Sequence, residues 1–110
     1  MKIKVANYIA QFLSEHGVKD VFMITGGGAM HLNDAIGHHE ALQCTYNHHE
    51  QACAMAAEGY ARLSGKVAAV CVTSGPGGTN AITGVLGGWQ DSIPMFVLSG
   101  QVKRETTTRA

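Results

Sequence analysis

An α/β fold with a mostly parallel sheet and helices on both faces is predicted by three features of the sequence. The apolar runs 21–24 and 67–72 are short and continuous rather than alternating, as in strands buried on both sides. Segments with apolar residues at helical spacing separate these runs. Glycine closes most of the segments and opens the loops that follow the strands. Strands and helices that alternate in this way connect through right-handed crossovers, which cover both faces of the sheet.

Val5, Ile9, Phe12 and Leu13 recur at helical spacing against Lys4, Asn7, Gln11 and Glu15, and Gly17 supplies a left-handed stop. The run Val21, Phe22, Met23, Ile24 makes a buried strand that ends at Gly26, Gly27 and Gly28. A helix is expected over about 29–37 and a second strand over about 42–46. Residues 48–63 read as an alanine-rich helix closed by Gly65, and VAAVCV at 67–72 is the clearest buried strand. TSGPGGTN then reads as a rigid turn, because Pro76 fixes φ among three glycines, before a helix over 81–90. Gly84, Gly87 and Gly88 let another backbone approach that helix, and MFVL at 95–98 makes a fourth strand. Tyr8, Phe12 and Trp89 are expected in the core. The tail 101–110, QVKRETTTRA, has neither apolar periodicity nor a capping signal, so residues 1–110 read as an incomplete piece of a larger multidomain protein.

A chain of 110 residues, 45% hydrophobic and 15% charged, suits one packed domain. Eight basic and eight acidic residues cancel without forming a basic stripe, which argues against nucleic acid or an anionic membrane as partner. MKIKVANYIAQF lacks the apolar core and cleavage site of a signal peptide, and no stretch approaches the ~18 apolar residues of a membrane span. Cys44, Cys53 and Cys71 are odd in number, lack CxxC spacing and sit in apolar runs, as free thiols in a reducing cytoplasm do.

The chemistry-bearing residues converge on one rim. Ligands of parallel sheets bind at the carboxyl ends of the strands, where both glycine clusters and Ser99-Gly100-Gln101 emerge. Glu50 starts the helix after another strand, with Ala54, Ala57 and Ala61 within about 40° of it on the helical wheel. Glu58 lies about 80° away and has Arg62 one turn on, whereas Glu50 has no partner on its own helix. A carboxyl in such an apolar seam either stays protonated or meets a ligand's polar atom, which makes Glu50 a candidate proton donor; the alternative is an acid favoured by the helix dipole. The first glycine loop, TGGGAMH, matches neither GxGxxG nor GxxxxGK[ST], and reads either as a tight turn or as a backbone platform beside a ligand. In the second loop Thr73 and Asn80 offer fixed polar groups. His38-His39-Glu40 and His48-His49-Glu50 lack HxxxH, HExxH or CxxC spacing, so no metal site is expected, and His49 is the histidine nearest the chemistry.

HHEQACAMAAEGYAR, TSGPGGTNAITGV and DSIPMFVLSGQV, in this order, closely resemble the N-terminal pyrimidine-binding domain of thiamine-diphosphate enzymes of the acetolactate synthase and pyruvate oxidase type. The resemblance implies 2-oxo acid decarboxylation followed by carbon–carbon ligation, with the 2-oxo acid as substrate. It implies that Glu50 hydrogen-bonds N1′ of the cofactor's aminopyrimidine and so promotes loss of the thiazolium C2 proton. A carboxyl still protonated near neutral pH suits that role, and desolvation in an alanine seam would keep it so. By the same resemblance Thr73, Pro76, Asn80, Gly26 and Gly27 line the cofactor pocket, and Gln101 and His49 face the substrate. Thr25, His48 and Gly78 depart from the proline, arginine and alanine usual in acetolactate synthases, which leaves the identity of the 2-oxo acid open. The resemblance also implies a homodimer or dimer of dimers, in which a separate domain with a GDG motif holds Mg²⁺ and the diphosphate. No GDG occurs in this sequence, so the piece alone is expected to be inactive. Two rival readings are a natural split enzyme, with the diphosphate-binding domain on another chain, and a non-catalytic dimerisation module whose small-residue helix 48–63 packs between subunits.

Overall fold

Four strands and four helices alternate along residues 1–107, the part of the chain that the computed structural model describes. In chain order they are α1 (Val5–Glu15), β1 (Asp20–Met23), α2 (Met30–Gly37), β2 (Gln43–Tyr46), α3 (Glu50–Ser64), β3 (Ala68–Val72), α4 (Pro76–Gln90) and β4 (Met95–Ser99). Short 3-10 turns occupy Gly27–Ala29 and Arg104–Thr106. Residues 108–110 of the tail lie outside the described residues. Every strand pair is parallel, in the order β2-β1-β3-β4, so the predicted α/β architecture is the observed one. Gly17 and Gly65 end α1 and α3 with left-handed φ of 84° and 70°.

β3 is central and buried at all five positions, which explains its unbroken apolar run. Its side chains alternate between two cores. Ala69 and Cys71 join Val21, Met23, Leu13 and Ile36 beneath α1 and α2. Ala68, Val70 and Val72 join Cys53, Ala54, Ala57 and Ala81 beneath α3 and α4. The helices thus flank the sheet in two pairs.

Two boundaries differ from expectation. α3 starts at Glu50 rather than at 48, because His49 is extended and its Nδ1 accepts the Gln51 N–H at 3.1 Å, capping the helix. α4 starts at Pro76, five residues before the expected 81: proline's fixed φ suits the first helical position, where its missing N–H costs nothing. The glycine loop after β3 is therefore largely the first turn of a helix.

Tyr8, Phe12 and Trp89 do not lie in the core as expected; Trp89 is 75% exposed. α4 buries Gly77, Ala81, Gly84 and Gly88, and its opposite side carries Ile82, Leu86 and Trp89. The helix turns its small residues inward because α3 approaches closely. A Cβ on Gly84 would sit 2.5 Å from Ala54 Cβ and 3.1 Å from the Gln51 carbonyl. The Ala54 side of α3 is thus filled by α4 of the same chain.

Candidate functional site

The connections out of β1 and β3 run in opposite directions. β1 leads through α2 to β2 on one side, whereas β3 leads through α4 to β4 on the other. β1 and β3 are neighbours, so their carboxyl ends bound the crevice where parallel α/β sheets take ligands. The glycine loop 24–28 leaves β1 there, and Thr73-Ser74-Gly75 leaves β3.

Thr73 ties these two loops together. Its Oγ1 accepts the Gly28 N–H at 3.0 Å. A Cβ on Gly26 would lie 2.5 Å from Thr73 Cβ, and one on Gly77 would lie 2.7 Å from Thr73 Cγ2, so glycine is required where the loops meet. Gly77 also borders Glu50, whose Oε1 is 3.7 Å from the same hypothetical Cβ. The other carboxylate oxygen, Oε2, accepts a hydrogen bond from Asn80 Nδ2 at 3.0 Å. Thr73, Gly77, Asn80 and Glu50 therefore form a continuous rim from β3 across α4 to α3.

Glu50 is half-buried rather than sealed in the alanine seam. As the first residue of α3 it projects beyond the seam, whose buried members Ala54, Ala57 and Ala61 lie one to three turns further along. Its partner comes from another helix, thirty residues away in the chain, which no pattern within 48–63 encodes. Glu58 does pair with Arg62, at 2.7 Å, and the same guanidinium reaches Asp91 at the end of α4. Those two carboxylates hold the Arg62 pKa above its ordinary value.

The remaining predicted residues divide into two groups. Gly26 joins the rim through Thr73, and Pro76 sets the start of α4. Gly27 and Gln101 line, with Gly28, Ile9 and Met30, a cavity of about 570 Å³ next to the glycine loop. Gln101 Oε1 accepts the Val102 N–H at 2.8 Å. His49 is exposed, and its observed contact is the cap on α3. Asn33 escaped the sequence reading, though its Oδ1 accepts the Gly26 N–H at 3.1 Å. One asparagine in a helical segment carries no signal of such a contact.

Burial pushes the Cys53 and Cys71 thiols up to about 11, and raises Cys44 as well. All three are free, and the two buried ones behave as small core residues and not as nucleophiles. Among the described residues, no group of three or more His, Cys, Asp or Glu is placed to hold a metal ion. No helix among them is long and apolar enough to cross a membrane.

The family described as "Thiamine pyrophosphate enzyme, N-terminal TPP binding domain" matches residues 3–110. The acetolactate synthase large subunit of Haemophilus influenzae is 46% identical over 101 residues, covering 92% of this chain and 18% of that protein. The Lactococcus lactis large subunit is 48% identical over 94 residues, covering 86% of this chain and 16% of the relative. The large subunit of acetolactate synthase isozyme 3 of Escherichia coli is 45% identical over 97 residues, 88% of this chain and 17% of that protein. The chain thus spans less than a fifth of the length of these relatives.

Proposed function

This chain belongs to the N-terminal thiamine-pyrophosphate-binding domain family of thiamine pyrophosphate enzymes, and from that premise we propose that it forms the aminopyrimidine side of an acetolactate synthase-like active site. Support comes chiefly from the Glu50–Asn80 pair. Asn80 orients the carboxyl by holding Oε2, and leaves Oε1 directed along the rim beside Gly77. Such a carboxyl is suited to hydrogen-bond a ring nitrogen such as N1′.

The absence of side chains at the glycines along the rim supports the same reading. Glycine at 26, 27 and 77 keeps side chains out of the approach, and Thr73 and Pro76 give it fixed walls. When bound, thiamine diphosphate supplies a carbon nucleophile for a 2-oxo acid carbonyl and an electron sink for its decarboxylation. Glu50 would hold the pyrimidine and share a proton with it; Asn80 would keep the carboxyl in register; Gln101, with His49, would face the 2-oxo acid. Mg²⁺ and the diphosphate would be held by a further domain, contributed by a second subunit of a dimer or dimer of dimers, with one or two carboxylates and the phosphates themselves as ligands. A reducing cytoplasm suits the three free thiols.

Glu50→Gln tests the reading in the complete enzyme. Turnover is expected to fall about 10²- to 10⁴-fold, the range of a positioned acid–base group, with folding unchanged by circular dichroism. Turnover within a few-fold of the parent would overturn the assignment.

A further inference from the structure

We infer that Asn33 is a positioning residue that holds the first glycine loop in a binding-ready shape, so that the Gly27 peptide faces the ligand. The inference rests on the cofactor reading above. Glycine backbone has more freedom to lose than any other, so a ligand that orders a slack glycine loop binds more weakly than one that meets it already ordered.

Here the loop is pinned on both sides of Gly27. The Gly26 N–H donates to Asn33 Oδ1 at 3.1 Å, and the Gly28 N–H donates to Thr73 Oγ1 at 3.0 Å. Asn33 is itself anchored, since its Nδ2 donates to Sγ of Cys71, 3.7 Å away near the carboxyl end of the fully buried strand β3. Between the pins, Gly27 has nothing within 4 Å of where a Cβ would stand. It borders both the cavity shared with Gln101 and a second hollow, lined by Thr25, Met30 and Asn33. The tethers fix the flanks and leave the middle peptide accessible, an arrangement suited to a ligand approaching the rim. Asn33 acts through Gly26 and needs no ligand contact of its own.

The test is titration of thiamine diphosphate, with saturating Mg²⁺, into the complete apoenzyme. Asn33→Ala is expected to weaken binding about tenfold, as loss of one well-formed hydrogen bond does, with kcat at saturating cofactor within about twofold of the parent. Asn33→Asp keeps the acceptor for Gly26 but loses the donor to Cys71, so it is expected to bind more tightly than Asn33→Ala though more weakly than the parent, a partial rescue that a merely space-filling role would not produce. Asn33→Leu keeps the volume without an acceptor, and replaces the alanine variant if that fails to fold. Parent-like affinity in the variants lacking the acceptor, or equal weakening in Asn33→Asp, would overturn the inference. Glu50→Gln, run alongside, separates the two readings. If it abolishes turnover while Asn33→Ala binds normally, the tether fails alone; if it leaves turnover intact, the site assignment itself fails.

Discussion

The two faces of the sheet are packed by opposite means. Beneath α1 and α2 the core is filled by large side chains, among them Leu13, Met23 and Ile36. Beneath α3 and α4 the fully buried side chains are Cys53, alanines and valines, and the helices approach at Gly84 until no Cβ fits between them. Large side chains bury much apolar area but hold helices at a distance set by rotamers. Small ones bury less, yet bring two backbones into contact and so fix their spacing. Ala54 and Gly84 meet one turn beyond Glu50 and Asn80 on their respective helices, so the seam sets the 3.0 Å reach between amide and carboxyl. One face supplies bulk stability, and the other supplies position.

The strongest way to break this contrast is to damage each face and compare what is lost. Leu13→Ala should cost about 3 kcal/mol through lost burial and a cavity, but leave turnover of the complete enzyme near normal below the melting temperature. Gly84→Leu should cost about as much by overpacking, and should also abolish most turnover by separating Asn80 from Glu50. Thermal melts paired with kinetics at one low temperature check both. Equal kinetic damage from the two variants would show that position does not depend on the seam.

A smaller effect is expected within the first glycine loop. Gly26→Ala forces a Cβ to within 2.5 Å of Thr73 and should destabilise the chain by about 2 kcal/mol. Gly27→Ala enters open space and should change stability by less than about 0.5 kcal/mol, measured by urea denaturation. Any loss it causes should appear in cofactor affinity instead. Comparable melting of the two variants would contradict the pinned-flank, open-middle description.

A pH-dependent effect sharpens the comparison with one thiol per face, Cys71 in the core beneath α1 and α2, and Cys53 of α3 in the core beneath α3 and α4. Both are raised from the ordinary 9.0 to about 11 by burial. Below pH 9 the folded and unfolded chains both keep the protons, and the full stability is present. Between about 9 and about 11 only the unfolded chain loses them, so stability should decline across that window. Cys53→Ala and Cys71→Ala should each flatten part of the decline. An unchanged slope in both would show that the thiols do not report on the two cores.

Much of this was legible in local sequence. The continuous run 67–72 marked the central strand, and Gly17 and Gly65 marked helix ends. Arg62 was the evident partner of Glu58, one turn away on the same helix. Trp89 shows where local reasoning failed: large apolar side chains ordinarily turn inward, but α4 turns its glycines inward because α3 lies against them. Pro76 was read as a loop residue, although the same fixed φ starts a helix as readily as it stiffens a turn.

By itself the sequence determined the α/β class, the element order, and Glu50 as the residue to watch, because periodicity and turn chemistry act over a few residues. The tertiary structure decided that Glu50 leans on Asn80, that Asn33 and Thr73 pin the glycine loop, and that the alanine seam is filled from within the chain. The interhelical and interloop contacts join residues 30 to 45 positions apart, as in Asn80 with Glu50 and Gly28 with Thr73. The strand order and the close approach of two helices bring such residues together, and neither is written in the spacing of any one segment.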